Sequence, residues 1–385
     1  MPSLLMHVQY LKGIGHLQRA GLIARFAAEA GFDVHVASGG LPVAGFSPRG
    51  ARLHQLLPLQ AGPGGFRDLR DDKGAPVDSV WMARRRARLM EVFERVVPDF
   101  LLIETYPFGR RQLRDEYLML LDAAAARQPR PAIVCSIRDI LQGEERPERL
   151  DETVLRLRSY FDRVFVHGDP AFAPLEDSFA RAGEIADLVS YTGFVAAPET
   201  AYLPKQDTPK GEVLVSAGGG AVGPALFDVA IDARPKTRLA DAHWRLITGP
   251  HMPEAEFARL ARQAGPGLTV ERFRGDFRAL LGAARLSISY AGYNTSLDVL
   301  RTRVPAVLVA YSGDGGETEQ AQRAGRLETL GLAATLADNA LSGDALAAAI
   351  ASALSLAPRD APAIDLDGAR NTVFTMLDMA ESEMP

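Results

Sequence analysis

SISYAGYNTSLDVLRTRVPAVLVAYSGDGGETEQAQRAGRLETLG, residues 287–331, reads strand, glycine turn, helix, strand, loop, helix. Its apolar runs are short, rich in Val, Ile and Leu, and do not alternate, as suits strands buried on both faces of a parallel sheet. The same rhythm fills the chain. Apolar runs stand at 4–10, 32–38, 100–104, 132–136 and 163–167, and again at 212–217, 243–248, 268–273, 285–290, 306–310 and 333–336. Helical patterns follow them at 17–30, 76–97, 112–126, 253–263, 317–329 and 342–356, with a last helix near 367–382. Strand–helix repetition implies an α/β, doubly wound fold. A chain of 385 residues is too long for one compact core. The rhythm breaks at AAPETAYLPKQDTPKG, which places a linker at 196–211 between two Rossmann-like domains, 1–195 and 212–365, with a C-terminal helix at 366–385.

Composition excludes several classes. Apolar residues are 47%, charged residues 24%, and the formal net charge is −5, so no basic field points to nucleic acid. The single cysteine, Cys135, allows no internal disulfide. No run is long and apolar enough to span a membrane, and no signal-peptide order is visible, so a cytoplasmic protein is expected. Its seven histidines are scattered without metal-ligand spacing. Neither a metal nor another cofactor is expected.

In doubly wound sheets ligands bind at the carboxyl ends of the strands, and two facing domains would form a cleft. The strand-end loops therefore matter most. GIGHLQR (13–19) brings Gly13 and Gly15 close to a ligand at a helix start, where N–H groups favour an anion. It is not a dinucleotide fingerprint: Gln18 stands where the third glycine would be, and the second strand ends VASGG with no acid. His16 at that helix start can take a proton from a hydroxyl or from water, or it is simply a histidine in a plain turn. SAGGGAVG (216–223) offers Gly218, Gly219 and Gly220 to a diphosphate, or is a flexible turn. Gly292, Tyr293, Asn294 and Thr295 open another helix, with Asp298 one turn on, suited to ribose hydroxyls. Glu319 and Gln320 follow the next strand and suit sugar hydroxyls; helix-surface polarity is the alternative.

The stretch 287–331 resembles the nucleotide-sugar-binding segment of GT-B glycosyltransferases, especially the family of the peptidoglycan N-acetylglucosaminyltransferase. Gly292, Thr295 and Asp298 match its Gly-x-x-Thr-x-x-Glu pattern, with Asp for Glu, and Gln320 matches its Gln pair, with Glu319 replacing one Gln. The glycine loop ending in Gly-His is matched at Gly13, Gly15 and His16, and the second-domain glycine loop loosely at Gly218–Gly220. RFRGDF (272–277) resembles the segment that recognises the base, which implicates Phe273 and Arg274. AIVCSIRDI lacks the family's His-Glu-x-Asn, so no lipid acceptor is implied. The whole chain is most similar to a bacterial group of predicted glycosyltransferases marked by GIGHL, YPFGRRQLR, SIRDIL and VHGDPAF.

The resemblance implies a metal-independent, inverting glycosyltransferase using an NDP-sugar, most of all a UDP-sugar. It also implies a last helix packed across the first domain. In the first domain Glu104, Tyr106, Arg110, Arg138, Asp139 and His167 follow strands and are expected to line a polar acceptor site; Arg110, Arg111 and Arg114 suit a phosphate or carboxylate on the acceptor. Surface ion pairs are the plainer reading of several. The pattern Gly13, Gly15, His16, Arg19 also resembles a nucleotide-sugar hydrolase of the pseudaminic acid pathway, in which the histidine would activate water. A non-catalytic nucleotide-sugar-binding protein is the third possibility. The basic helix 81–96 reads as a solvated face over a core stripe of Met82, Leu89, Val92, Phe93 and Val96, with weak contact to a membrane surface as the alternative.

Overall fold

The computed structural model describes residues 1–11, 13–144, 146–217, 224–249, 252–311, 318–356 and 363–382. The chain divides into two compact units, residues 1–195 with 365–385, and residues 196–364.

The first unit runs β1 (Ser3–Val8), α1 (Gly15–Glu29), β2 (Asp33–Ser38), β3 (Ala51–Gln55), β4 (Gln60–Gly62), β5 (Gly65–Arg70), α2 (Ser79–Val96), β6 (Phe100–Glu104), α3 (Arg114–Ala126), β7 (Ala132–Arg138), α4 (Pro147–Tyr160), β8 (Arg163–His167) and β9 (Val189–Tyr191). Seven strands form a parallel sheet in the order β3-β2-β1-β6-β7-β8-β9, and β4 and β5 make a separate antiparallel hairpin. The order reverses between β1 and β6, which pair directly with His7 opposite Ile103. Helices cover both faces. One core packs α2 and α3 through Leu89, Phe93, Leu120 and Leu121, and the other packs α1 through Leu17, Ile23 and Ala27. This two-sided burial is why the central strands read as unbroken apolar runs. The Asp78 carboxylate caps α2 by accepting from Trp81 N at 2.7 Å, and a left-handed Val97 ends it.

The second unit runs β10 (Val213–Ser216), α5 (Pro224–Ala233), β11 (Trp244–Ile247), α6 (Glu254–Ala261), β12 (Leu268–Glu271), α7 (Phe277–Ala283), β13 (Leu286–Tyr290), α8 (Tyr293–Thr302), β14 (Ala306–Ala310), α9 (Glu319–Thr329), β15 (Ala334–Ala337) and α10 (Gly343–Ala353). Its six strands are parallel in the order β12-β11-β10-β13-β14-β15, reversing between β10 and β13. Trp244, fully buried, anchors its core.

The last helix, α11 (Gly368–Ser382), packs on α1 through Ala369, Val373 and Met376. Asn371 Nδ2 donates to the Thr192 carbonyl (2.9 Å) and to Asp365 (2.7 Å), which fixes its entry. All eleven apolar runs of the sequence form strands, and the two-sheet α/β class is borne out. The additional strands are β3, β9 and the two of the hairpin. β3 and β9 are the two edges of the first sheet, where polar side chains are tolerated. Among the described residues no helix is long and apolar enough to cross a membrane.

Candidate active site

A site follows from the first sheet's reversal point. Ligands bind outside the carboxyl ends of the strands where a doubly wound sheet changes direction. Here those strands are β1 and β6. The loop after β1 turns through Gly13 (φ +60°) into α1, whose second residue is His16, and β6 ends in Glu104. The topology thus brings together two side chains 88 positions apart: His16 Nδ1 lies 2.8 Å from Glu104 Oε1.

Glu104 is 1% exposed, yet ionised. Burial opposes its charge, but the guanidinium of Arg19 and the His16 ring hold its carboxyl far below the usual carboxylate range. Arg19 contacts Oε1 directly, Thr105 Oγ1 donates to it at 3.2 Å, and Ser136 Oγ donates to Oε2 at 3.0 Å. Ser136 Oγ also meets His167 Nε2 at 2.8 Å, and His167 Nδ1 meets Thr192 Oγ1 at 2.8 Å. Burial pushes the His167 ring down to about 3, so it is neutral. An ionised Glu104 accepts from His16 Nδ1–H and therefore selects the tautomer whose Nε2 carries the lone pair. Burial, against the pull of Glu104 and with Arg19 and Arg110 assisting, lowers His16 to about 4. The ring is neutral at physiological pH, its side chain is 20% exposed, and Nε2 can accept a proton.

Other expected acceptor residues are placed differently. Tyr106 does not reach a ligand: it is 2% exposed and stacks on Tyr117 with ring centroids 4.3 Å apart, because the chain folds back into the core after β6. Glu104, His167 and Asp139 are also buried, so they stand behind the site and not on its surface. Gly168 lies so close to Asp139 that an added Cβ would sit 3.0 Å from its Cα and Cβ. Arg111 is held by Glu144, Thr153 and the Arg149 carbonyl, and Arg114 by Glu152, so neither joins His16. Arg110 does: Nε donates to the Gln9 carbonyl (3.1 Å) and Nη2 to His16 Nε2 (3.3 Å). Arg138 ends β7, half-buried, within electrostatic reach of Arg110. Arg19 was legible as the residue three beyond His16, on the same helix face. Ser136 and Thr192 carry no sequence signal of their own.

In the second unit the reversal point lies between β10 and β13. Gly218, Gly219 and Gly220, after β10, lie outside the described residues. After β13, Gly292 is the N-cap of α8, so Tyr293, Asn294 and Thr295 form that helix's first turn. Asp298 lies inside this unit, not on its face. Its side chain is 9% exposed; Tyr202 Oη donates to Oδ1 at 2.5 Å and Arg278 Nε at 3.2 Å. Burial raises its pKa, opposed by Arg278 and the Tyr202 hydrogen bond. Tyr202 belongs to a short 3-10 turn, Glu199–Tyr202, within the stretch that reads as linker. Phe273 is 68% exposed, whereas Arg274 is tied to Asp276 (2.7 Å) and Glu271 (3.5 Å). Glu319 is buried at the start of α9, and Gln320 Oε1 accepts from Tyr311 N at 3.4 Å. On α2, Arg85 is buried on Glu116, while Arg88 and Arg95 share Glu91. Among the described residues no group of three His, Cys, Asp or Glu is placed to hold a metal ion.

Residues 213–366 match the glycosyltransferase family 28 C-terminal domain. No curated protein sequence matches the chain. Among solved structures, the glycotransferase of kitacinnamycin is 17% identical over all of both chains, with a TM-score of 0.66. MurG of Acinetobacter baumannii is 16% identical over 98% of this chain and 100% of its own, with a TM-score of 0.58. The spinosyn rhamnosyltransferase SpnG, complexed with thymidine diphosphate, is 15% identical over 100% and 97%, with a TM-score of 0.59. Most of the second unit thus matches a glycosyltransferase family model, and the chain as a whole shares the GT-B fold of these structures.

Proposed function

We propose that this chain transfers a sugar from a pyrimidine nucleoside-diphosphate donor, UDP-linked or dTDP-linked, to a hydroxyl of a polar acceptor. The observation that supports it most is the His16–Glu104 pair at the reversal point of the first sheet. A neutral imidazole held by a buried carboxylate is a general base with a defined tautomer. His16 Nε2 takes the acceptor hydroxyl's proton, and the oxygen forms a bond to the anomeric carbon. The bond to the diphosphate breaks, with its electron pair leaving on the diphosphate. Direct displacement of this kind inverts the anomeric centre.

The donor belongs to the second unit. The α8 N-terminus at Gly292–Thr295 suits a diphosphate, through its N–H groups and dipole, without a metal. Exposed Phe273 suits the base and Gln320 the sugar, while buried Asp298 and Glu319 stand behind the donor site. Thymidine diphosphate bound by the spinosyn rhamnosyltransferase supports a pyrimidine base, and a cytoplasmic location suits such a donor. The hydrolytic alternative uses the same histidine on water.

The test is calorimetry and thermal unfolding of the full chain with UDP, dTDP, GDP and CDP. A nucleotide at 100 times its Kd raises stability by about 2.7 kcal/mol. Selective stabilisation by UDP or dTDP is the expected result. Absence of any response across the panel removes the donor assignment.

A further inference from the structure

Three arginines, Arg110, Arg111 and Arg114, follow β6 within one five-residue stretch, and two of them already have carboxylate partners in Glu144 and Glu152. Arg110 has none among the described residues. Its Nε is spent on a backbone carbonyl, its Nη2 on the His16 ring, and Nη1 makes no hydrogen bond there. The carboxylate that faces it, Glu104, has both oxygens engaged by His16, Arg19, Thr105 and Ser136. Arg19 and Arg138 add like charge around Arg110, while Glu104 opposes it. Among the described residues Arg110 is therefore left without a carboxylate of its own.

The position of that cation is equally informative. Arg110 donates to the nitrogen that must accept a proton. A lone pair engaged by a guanidinium is not available to a hydroxyl. The segment that presents Arg110 is held in a costly shape. Thr105 (φ +72°) and Arg110 (φ +63°) are both left-handed without being glycine, a conformation that L side chains rarely adopt. Such backbone gathers where a functional group must be aimed.

Building on the transfer reading above, we propose that the acceptor carries a carboxylate or phosphate near its reactive hydroxyl, and that Arg110 binds it and thereby unmasks His16. The Nη1 and Nη2 edge of the guanidinium is the fork that receives such a group. Turning this edge to the acceptor's anion withdraws Nη2 from His16 Nε2. The acceptor hydroxyl takes the vacated position and gives its proton to Nε2 as its oxygen bonds to the anomeric carbon. A neutral acceptor leaves the base engaged, so Arg110 makes the site selective for acids.

The test is NMR of the full chain with isotope-labelled histidine, titrated with inorganic phosphate and with acetate as probes. In the wild type, the His16 ring signals move saturably with each anion. In Arg110→Gln the anion affinity falls at least tenfold, and in Arg110→Lys, which keeps the charge but not the fork, it falls less. Unchanged signals from His167 in both variants verify that the unit is folded. The same titration with saturating UDP or dTDP separates the two sources of an anion. Phosphate binding that persists beside the nucleotide assigns the site to the acceptor. Phosphate displaced by the nucleotide assigns Arg110 to the donor diphosphate and overturns the proposal. So does a His16 response that is absent, or equal in Arg110→Gln. If neither nucleotide binds, the transfer reading fails and the acceptor assignment falls with it. If nucleotides bind but phosphate does not, only the role of Arg110 is lost.

Discussion

Glu104→Gln is the perturbation with the most to say. The carboxylate is buried and carries four contacts, from His16, Arg19, Thr105 and Ser136. The amide keeps the size but removes the charge beneath Arg19, whose side chain is 3% exposed. Breaking a buried ion pair by removing one partner costs about 3–5 kcal/mol. Part of a domain's stability, typically about 5–15 kcal/mol, is then gone, yet the unit should still fold. The neutral amide oxygen also accepts more weakly from Arg19 and His16 Nδ1–H than the carboxylate does, so its hold on the His16 tautomer loosens. Loss of a positioned base lowers turnover by about 10²–10⁴. The assay is urea unfolding followed by fluorescence. Trp81 lies in the first unit and Trp244 in the second, so Trp244→Phe leaves a reporter of the first unit alone. The expected shift is confined to that unit and equals about 3 kcal/mol or more. A change within about 0.5 kcal/mol, the range of an ordinary surface substitution, would refute the claim that Glu104 anchors this cluster.

Acid should weaken the same unit. His16 and His167 fall from an ordinary 6.5 to about 4 and about 3 when folded, so the unfolded chain binds more protons below 6.5. Stability is full above 6.5 and declines as pH falls towards 4, by up to about 1.4 kcal/mol per pH unit for each ring. Glu104, depressed in the fold, adds a further loss as pH falls below its ordinary 4.5. Urea midpoints between pH 7 and 4 check the slope, and a flat profile would contradict the buried neutral rings. Tyr202→Phe removes a hydrogen bond from the buried Asp298 carboxylate and should cost the second unit about 1–3 kcal/mol, read through Trp244 in a Trp81→Phe background. Asp298→Ala therefore weakens the unit as well as any ribose contact, and nucleotide affinities of this variant must be measured well below its unfolding temperature. Gly282→Ala would place a Cβ 2.2 Å from the Tyr202 carbonyl oxygen, so α7 must shift; thermal unfolding should show a loss of about 1–3 kcal/mol.

The central strands were legible because each is buried on both faces and reads as an apolar run. The edges β3, ARLHQ, and β9, VSY, were not: one side of each lies open, and polar residues there obey no run. His16 was legible because a strand, a glycine turn and a helix start give its loop away. The role of Glu104 was not, since spacing places a strand-end carboxylate at the site mouth and says nothing of Arg19 and Ser136 closing over it. The same holds for Tyr106, which a cleft reading sends outward and aromatic stacking on Tyr117 draws inward. Tyr202 was hidden by its neighbours: a proline-rich stretch reads as a linker, yet its tyrosine reaches across 96 residues to hold Asp298.

The most direct measurement is turnover of UDP- and dTDP-sugars by the wild type and by His16→Asn, with nucleotide affinity measured in parallel. Asn keeps a polar side chain but has no basic nitrogen. The account predicts unchanged nucleotide affinity and a fall in turnover of about 10²–10⁴. Equal turnover in the two proteins would contradict it.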